Sequence, residues 1–230
     1  MKAMILAAGR GERMRPLTDQ TPKPLIKVKG KPLIYWHLEK LARAGIKEVV
    51  INTAWLGEKL EKAIGNGSQW GLQVRWSREP SGGLETAGGI INALPILGNA
   101  PFWVVNGDIW TDFDFQLLPK TLGKKTATEQ APLGYLVLVE NPAHNERGDF
   151  GLSDDKRVVA QQPRFTFSGI SVLHPELFAG FAPGRLALRP LFEQAISKGQ
   201  LIGQLHHGLW TDVGTPARLH KLNQRTPARS

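Results

Sequence analysis

Apolar residues recur along the first half of the chain in two alternating patterns. Short continuous apolar runs are typical of buried strands, and segments with apolar residues three or four apart are typical of amphipathic helices. The predicted strands are Lys2–Ala8, Glu48–Thr53, Leu72–Trp76 and Phe102–Asn106. The predicted helices are Leu33–Ala44, which stops at Gly45, Leu56–Ile64, and Leu84–Leu94, which Pro95 closes. This alternation predicts an α/β fold, in which helices cover both faces of a sheet.

The pattern changes after Asp114, where short strands are separated by polar turns. The predicted strands are Gly134–Val139, Phe150–Leu152, Val158–Gln161, Phe165–Leu173 and Leu201–Gln204, and the predicted helices are Arg189–Lys198 and Pro216–Asn223. We interpret the short strands as an antiparallel insertion beside a mostly parallel core. Residues Leu118–Pro132 are polar and predict an exposed connection, and we expect Arg225–Ser230 to be frayed.

Composition narrows the classes of protein and partner. At 230 residues the chain can bury one core, as a single domain or with a small appended lobe. It has no apolar run of about 18 residues, so we expect no membrane span, and it has no cysteine, so we expect a cytoplasmic location. The net charge of +9 favours anionic partners, either nucleic acid or a small polyphosphate. Because no nucleic-acid-binding motif accompanies the scattered cations, we expect no nucleic-acid partner, a prediction that duplex DNA binding at about 200 mM salt would overturn.

A glycine-containing loop with several cations follows the first predicted strand. Glycines allow backbone N–H groups to turn toward phosphate oxygens, and arginine and lysine neutralise the phosphate charge. The relevant residues are Gly9, Gly11, Arg10, Arg13, Arg15 and Lys23. A Walker A loop is excluded because no Gly-Lys-Ser/Thr triplet follows, and a dinucleotide-binding loop is disfavoured by Met14 and Pro16. Four cations so close together repel each other, which favours a bound anion such as a triphosphate.

Two aspartates and a second glycine-rich loop add to this picture. Asp108 follows an apolar strand, and Asp212 precedes a glycine turn and a helix. Two carboxylates that meet in a cleft suit Mg²⁺, although each aspartate alone is equally explained as a turn former or helix cap. In the second loop, Glu79 can accept a hydrogen bond from a ring N–H of a base, and the glycines around Gly83 let a flat base lie against the backbone.

Taken together, these segments resemble the sugar-1-phosphate nucleotidyltransferases, also called nucleoside-diphosphate-sugar pyrophosphorylases. The matching segments, in chain order, are Leu6–Thr18, Pro22–Leu25, Leu84–Gly89, Gly107-Asp108, Ser168–Ile170 and Trp210–Thr215. The short length and the Leu-Glu-Thr-Ala-Gly-Gly segment are most similar to the N-acetylmuramate 1-phosphate uridylyltransferases. The resemblance implies a Rossmann-like three-layer αβα fold with a small antiparallel sugar-binding insertion. It also implies a nucleotide-binding half at about 1–115, a sugar-binding half at about 116–224 and a tail at 225–230.

The resemblance implies a reaction in which a sugar 1-phosphate and a nucleoside triphosphate give a nucleoside-diphosphate sugar and pyrophosphate, with Mg²⁺ as cofactor. By the same resemblance, Lys23 and Arg15 are catalytic, and Asp108 and Asp212 hold the metal. The implied nucleotide-binding residues are Ala8, Gly9, Gly11, Glu12, Arg13, Lys23, Glu79 and Gly83. The implied sugar-binding residues are Asn106, Glu140 and Gly151.

One departure from the family and several alternatives remain open at this point. Relatives commonly carry a lysine where this chain has Gln162, so the charge balance there must come from Arg15, Lys23 or a second metal ion. The base is either uracil or guanine, because Glu79 can accept from either ring; the second alternative predicts a mannose- or heptose-1-phosphate guanylyltransferase. A non-catalytic nucleotide-sugar-binding subunit is the alternative from another class. The sequence does not fix the oligomeric state, and a monomer is compatible with it.

Overall fold

A computed structural model describes residues 1–123 and 131–224 of the chain. The strands are β1 Lys2–Leu6, β2 Lys27–Val28, β3 Lys31–Pro32, β4 Glu48–Thr53, β5 Gln73–Arg78, β6 Phe102–Asn106, β7 Ile109–Thr111, β8 Gly134–Val139, β9 Phe150–Leu152, β10 Val158–Val159, β11 Arg164–Leu173, β12 Leu201–His206 and β13 Trp210–Asp212. The helices are α1 Leu17–Gln20, α2 Leu33–Arg43, α3 Gly57–Ile64, α4 Glu85–Leu97, α5 Arg189–Ser197 and α6 Pro216–Gln224. No helix within the described ranges is long and apolar enough to cross a membrane.

Nine of these strands form one mixed sheet. The strands β5, β4, β1 and β6 lie side by side and are parallel, as the α/β pattern predicts. The long strand β11 then runs antiparallel to β6, and it also pairs antiparallel with β8 and β9. The predicted antiparallel insertion beside a parallel core is therefore confirmed. Strand β12 pairs parallel with β8.

Each face of the sheet is covered by helices, which gives three layers. In β1, Ala3 and Ile5 face one side and pack with apolar residues of α2 and α3. The intervening Met4 faces the other side and packs with residues of α4 and α5. All three side chains have no exposed surface, and each large apolar side chain buried in this way contributes roughly 1.5–3 kcal/mol. The predicted αβα arrangement is confirmed.

Several predicted boundaries were wrong, for local reasons. The first strand ends at Leu6 because the Ala7 N–H donates to the side chain of Asn52 in β4 instead of to a backbone carbonyl. The helix predicted to close at Pro95 continues to Leu97, because a proline in the last turn removes only one backbone hydrogen bond. The helix ends where Gly98 adopts a positive φ of 89°.

The structure describes only part of the predicted exposed connection and none of the predicted tail. Leu118, at the start of the connection, is buried, and the Pro119 carbonyl accepts a hydrogen bond from Trp103, so these two residues are packed, whereas Lys120, Thr121 and Gly123 are exposed. Residues 124–130 of the connection and the tail at 225–230 lie outside the described residues. The proposed division into halves near residue 115 stays a prediction.

A two-stranded ladder that the sequence did not predict joins the two aspartates. Strands β7 and β13 have three residues each and run antiparallel, and Ile109 pairs with Asp212. The Val213 N–H also donates to the Asp108 carbonyl at 2.7 Å. The backbones of Asp108 and Asp212 are therefore neighbours, although about a hundred residues separate them in sequence.

Candidate active site

The first glycine loop begins where β1 ends and is fixed by packing on both sides. Gly11 has a φ of +68°, which favours glycine, and a Cβ there would lie 3.0 Å from Thr18 Cγ2. The Thr18 hydroxyl donates to the Gly11 carbonyl at 2.9 Å. Residues Glu12–Met14 then form one turn of 3₁₀ helix, whose Met14 is fully buried. This anchoring holds the loop in place without a ligand.

Lys23 is nearly buried and is paired with the first aspartate. Its side chain is 11% exposed, and Nζ donates to Asp108 Oδ2 at 2.6 Å. The aliphatic part of the side chain passes beside Gly11, where a Cβ would lie 3.3 Å from Lys23 Cβ. Because a buried ammonium is stable only beside an anion, the pair places one positive and one negative charge together at the glycine loop.

The arginines of the first loop are partly neutralised within the protein, which corrects the electrostatic argument made from the sequence. Arg10 and Arg15 both contact Asp19, at 2.8 and 2.9 Å. The hydrogen bond from Arg10 is the largest cause that lowers the pKa of Asp19 below its ordinary value, and Arg15 adds to it. Arg10 also stacks on Trp55, at 3.8 Å from the ring centroid. Arg13 is exposed, and within the described residues it has no ion pair.

A hydrogen-bonded chain connects the first glycine loop to the second. Asn52 Oδ1 accepts from the Ala7 N–H at 2.6 Å, and Asn52 Nδ2 donates to Glu79 Oε1 at 2.6 Å. The other carboxylate oxygen, Glu79 Oε2, accepts from the Leu84 N–H at 2.8 Å. A Cβ at Gly89 would lie 2.5 Å from Glu79 Oε1 and 2.8 Å from Asn52 Nδ2, so a larger residue there would displace these side chains. We name Ala7, Asn52, Glu79 and Leu84 the bridging network.

The start of α4 is covered by residues 184–186, from the second half of the chain, which we name the covering segment. The Ala87 and Gly88 N–H groups both donate to the Leu186 carbonyl, at 2.9 and 3.0 Å. A Cβ at Gly88 would lie only 2.1 Å from the Gly184 carbonyl oxygen, so glycine is needed for this close approach. The covering segment thus satisfies N–H groups that a helix start leaves without partners.

Glu85, the first residue of α4, has a φ of +60°, which is uncommon for a residue with a side chain. It forms an ion pair with Arg185 of the covering segment at 2.9 Å. Both side chains are exposed by about half, at 42% and 68%, so the pair contributes little to stability. The pair stands at the rim of the cleft described below.

Asp212 is held by Arg218 rather than by its neighbour Asp108. Arg218 Nη1 donates to both carboxylate oxygens of Asp212 at 2.6 Å, and His144 Nε2 lies 3.0 Å from Oδ1. Within the described ranges, no group of three or more histidine, aspartate or glutamate residues could hold a metal ion. The two aspartates are adjacent through the β7–β13 ladder, but each carboxylate has its own cationic partner.

These elements surround a cleft of about 880 Å³ at the carboxyl ends of β1, β4 and β6. Open α/β sheets bind their ligands at this edge. The predicted site residues that line the cleft are Ala8, Gly9, Gly11, Glu12, Lys23, Glu79, Gly83, Asn106 and Asp108. The predicted site residues that do not line it are Arg13, Arg15, Glu140, Gly151 and Asp212.

The predicted sugar-side residues Glu140 and Gly151 lie apart from the cleft. The Glu140 carboxylate is 66% exposed and is 3.5 Å from His207 Nδ1. Gly151 is buried in β9, and a Cβ there would lie 2.4 Å from the Gln161 carbonyl oxygen. Gly151 therefore serves close packing between strands, whereas Asn106 stands at the cleft wall.

Other residues that line the cleft were not predicted from the sequence. They include Asn52, Trp55, Thr86 and Arg185, and Arg10 was predicted only as a source of charge. Asn52 had a detectable signal, since an amide at the carboxyl end of a buried strand requires hydrogen-bond partners. Arg185 had no such signal in the sequence, because its partner Glu85 lies a hundred residues earlier in the chain.

Comparisons with known proteins agree with this arrangement. Residues 2–159 match the family described as nucleotidyl transferase. The N-acetylmuramate alpha-1-phosphate uridylyltransferase of Neisseria meningitidis serogroup B is 53% identical over 95% of each chain. The enzyme of the same name from Caulobacter vibrioides is 33% identical over 93% of this chain and 92% of its own.

More distant proteins share the fold. The mannose-1-phosphate guanyltransferase of Aspergillus fumigatus is 33% identical over 94% of this chain but only 61% of its own length. The crystal structure of HddC from Yersinia pseudotuberculosis superimposes with a TM-score of 0.76 at 19% identity, covering 97% of this chain and 98% of that one. At that identity the superposition supports the fold alone. The family match and the two uridylyltransferase relatives show that this chain belongs to the nucleotidyl transferase family.

Proposed function

We propose that the protein transfers a uridylyl group from UTP to N-acetylmuramate 1-phosphate, giving UDP-N-acetylmuramate and pyrophosphate. One observation carries the proposal: both glycine loops and the Lys23–Asp108 pair line the same cleft. The cleft volume of about 880 Å³ is within the range of small-molecule sites. The choice of sugar and base rests on the relatives, two of which are uridylyltransferases for N-acetylmuramate 1-phosphate.

In the proposed reaction, an oxygen of the sugar phosphate attacks the α-phosphorus of UTP, and the bond to the β-phosphate breaks. Such transfers depend on positioning and on stabilising charge, because little covalent chemistry falls to the protein. We assign Lys23 to the α-phosphate, since its nearly buried ammonium stands where the glycine loop meets Asp108. A low-dielectric position strengthens its attraction for the phosphate oxygens.

The triphosphate is assigned to the first glycine loop. The Gly9 and Gly11 N–H groups would contact its oxygens, and Arg10 would balance its charge. Arg10 is preferred to Arg15 and Arg13, because of the three only Arg10 lines the cleft. The catalytic role first proposed for Arg15 has no support in the geometry, since Arg15 is exposed and is paired with Asp19.

The two aspartates fit Mg²⁺ by their chemistry. Mg²⁺ prefers oxygen ligands and is held by one or two carboxylates together with substrate phosphates, so a third protein ligand is not required. Asp108 and Asp212 would hold the ion, which when bound offsets negative charge on the phosphates. Lys23 and Arg218 now contact these carboxylates, and both cations are also suited to bind phosphate.

We assign recognition of the base and the sugar to three other residues that line the cleft, Glu79, Gly83 and Asn106. Each Glu79 carboxylate oxygen already accepts one hydrogen bond and has a second acceptor site, which could receive the N3–H of uracil. Gly83 would let the base approach the backbone. On the sugar side, Asn106 remains the proposed sugar-binding residue. Gln162 does not replace the missing lysine, because its Oε1 accepts from the Arg164 N–H at 3.0 Å, and we assign that charge balance to Lys23.

A substrate panel tests the proposal. The purified protein is incubated with Mg²⁺, with UTP or GTP, and with the 1-phosphates of N-acetylmuramate, N-acetylglucosamine or mannose, and pyrophosphate release is followed. We expect the largest kcat/KM for UTP with N-acetylmuramate 1-phosphate. Turnover with GTP and mannose 1-phosphate alone would instead support the guanylyltransferase alternative. Nucleotide binding without any turnover would support the non-catalytic alternative. The cytoplasmic location stays a prediction from composition.

A further inference from the structure

A second, smaller cavity adjoins the cleft on its sugar side. Its volume is about 190 Å³, and it shares two wall residues, Thr86 and Asn106, with the cleft. Its apolar part is formed by Leu188 and three aromatic rings, those of Phe150, Phe167 and Phe192. The rings pack edge to face, with Phe192 at 6.1 Å from Phe150 and 5.5 Å from Phe167, so the walls are preformed.

Arg189 is the one cation among the residues that line this cavity. Arg189, the first residue of α5, lines the cavity, and its guanidinium carbon lies 5.7 Å from the Phe150 ring centroid. It contacts Asp149 at 3.4 Å and Glu193 at 2.9 Å. Two N–H contacts leave most of the five guanidinium donors available to a ligand.

Neither of these two contacts holds the Arg189 side chain firmly in place. The contact with Asp149 is long, and Asp149 is already held through its other oxygen by the Phe167 N–H at 2.9 Å and Asn145 Nδ2 at 3.2 Å. The pair with Glu193 is more than half exposed on both sides, so it contributes little. Arg189 can therefore turn toward an anion in the cavity without leaving a buried carboxylate unpaired.

The chemistry of the cavity matches the group that distinguishes N-acetylmuramate from other amino sugars. That group is a lactyl ether, which carries one methyl group and one carboxylate on five heavy atoms. At about 30 Å³ for each water-sized group, the cavity holds roughly six of them. The aromatic walls suit the methyl group, and the guanidinium suits the carboxylate, which it can bind in a bidentate manner.

We propose that Arg189 selects the sugar substrate by pairing with its lactyl carboxylate in this aromatic cavity. This inference rests on the proposed function, since the cavity must receive the sugar that the cleft activates. It assigns to Arg189 a role in substrate choice rather than in the transfer step. The Lys23 end of the cleft would bind every sugar 1-phosphate, and the cavity would discriminate among them.

Steady-state kinetics of Arg189→Met and Arg189→Lys test this assignment. The affinity of N-acetylmuramate 1-phosphate is compared with that of N-acetylglucosamine 1-phosphate, which lacks only the lactyl group and is measured as a competitive inhibitor. We expect Arg189→Met to raise KM for the first sugar by about 30-fold, the size of a lost charge-assisted pair, with kcat changed by less than about threefold. The inhibition constant of the second sugar should stay within about twofold, and Arg189→Lys should recover part of the affinity.

A matched control and three contrary outcomes complete the design. Lys198→Met removes an exposed cation at the end of the same helix and should leave both constants unchanged. Equal losses for both sugars in Arg189→Met and Arg189→Lys would overturn the inference, as would an unchanged preference in folded variants. If the wild-type protein turns over neither sugar, the proposed function fails and the inference fails with it. Turnover of N-acetylmuramate 1-phosphate with an unchanged preference refutes the inference alone.

Discussion

Replacing Asn52 with aspartate changes the charge of the bridging network and leaves its shape unchanged. The Asn52 oxygen that accepts from the Ala7 N–H is kept, whereas the nitrogen that donates to Glu79 Oε1 at 2.6 Å becomes a second carboxylate oxygen. Turning the side chain over does not remove the conflict, because both carboxylate oxygens of aspartate are acceptors. Asn52→Asp therefore places two acceptors, both charged, in direct contact.

The cost of this contact is limited by proton uptake. Two unit charges at about 2.6 Å repel by roughly 6 kcal/mol at an effective dielectric constant of about 20. Binding one shared proton relieves the repulsion and restores the hydrogen bond. A carboxyl group binds its proton near about pH 4, and each unit above that costs about 1.4 kcal/mol, so uptake costs about 5 kcal/mol at about pH 8 and about 2 at about pH 5.5.

Glu79 is only partly buried, so solvent screening lowers both figures. We expect Asn52→Asp to lower the free energy of unfolding by about 3 kcal/mol at about pH 8 and by about 1 kcal/mol at about pH 5.5, relative to wild type at the same pH. Urea unfolding at the two pH values measures both differences. The KM for UTP should follow the same trend, because the network holds backbone groups of both glycine loops.

Asn92→Asp is the matched control. The Asn92 amide donates to Ser77 Oγ and to the Arg78 carbonyl, at 3.0 and 3.2 Å, and neither partner is a carboxylate. This substitution should cost less than about 1 kcal/mol, with little change between the two pH values. If Asn52→Asp were as stable as wild type at about pH 8, or equally destabilised at both pH values, the network would not have the charge and direction described.

Three further predictions concern the site and the core. Lys23→Met should lower kcat/KM by about a thousandfold with the fold retained by circular dichroism, because Asp108 and the phosphates lose their buried cation; activity near that of wild type would contradict the assigned role. The fully buried His37 has its pKa lowered to about 4, first by loss of solvation and then by Lys40. His37 therefore binds a proton more readily in the unfolded chain than in the folded protein, and the free energy of unfolding should fall by about 2 kcal/mol between about pH 7.5 and about pH 5 in urea titrations. His37→Phe should reduce this dependence on pH. An unchanged dependence would refute the role given to His37. Gly88→Ala would place Cβ 2.1 Å from the Gly184 carbonyl oxygen, so we expect a loss of at least about 2 kcal/mol in the same titrations, and wild-type stability would show that the covering segment moves aside freely.

The sequence predicted the parts of the molecule that depend on local order. The apolar runs of Glu48–Thr53 and Phe102–Asn106 became strands with the predicted bounds, because burial on both faces requires continuous apolar residues. Lys23 and Asp108 were predicted to share a site, and they form an ion pair. The strand signals lie within a few residues of chain, whereas the shared site of Lys23 and Asp108 was implied by the family resemblance.

Contacts between distant segments were not predictable in the same way. The β7–β13 ladder has only three residues in each strand, too few for a periodic signal, yet it is what places Asp108 beside Asp212. Likewise, the sequence alone does not show that Asp19 pairs with both Arg10 and Arg15. Such partners are set by how the chain returns on itself, which one sequence does not encode in spacing.

The glycines of the second loop show how one motif combines two physical requirements. Gly88 and Gly89 are needed for packing, since a Cβ at either would collide with Gly184 or Glu79. Gly82 and Gly83 are different: both have a positive φ, and a Cβ at Gly82 would meet nothing within 4 Å. Of the two pairs, only Gly82 and Gly83 leave backbone open to the cleft, so we assign the approach of a base to them. The helix glycines instead allow close packing, of Gly89 against Glu79 and of Gly88 against Gly184.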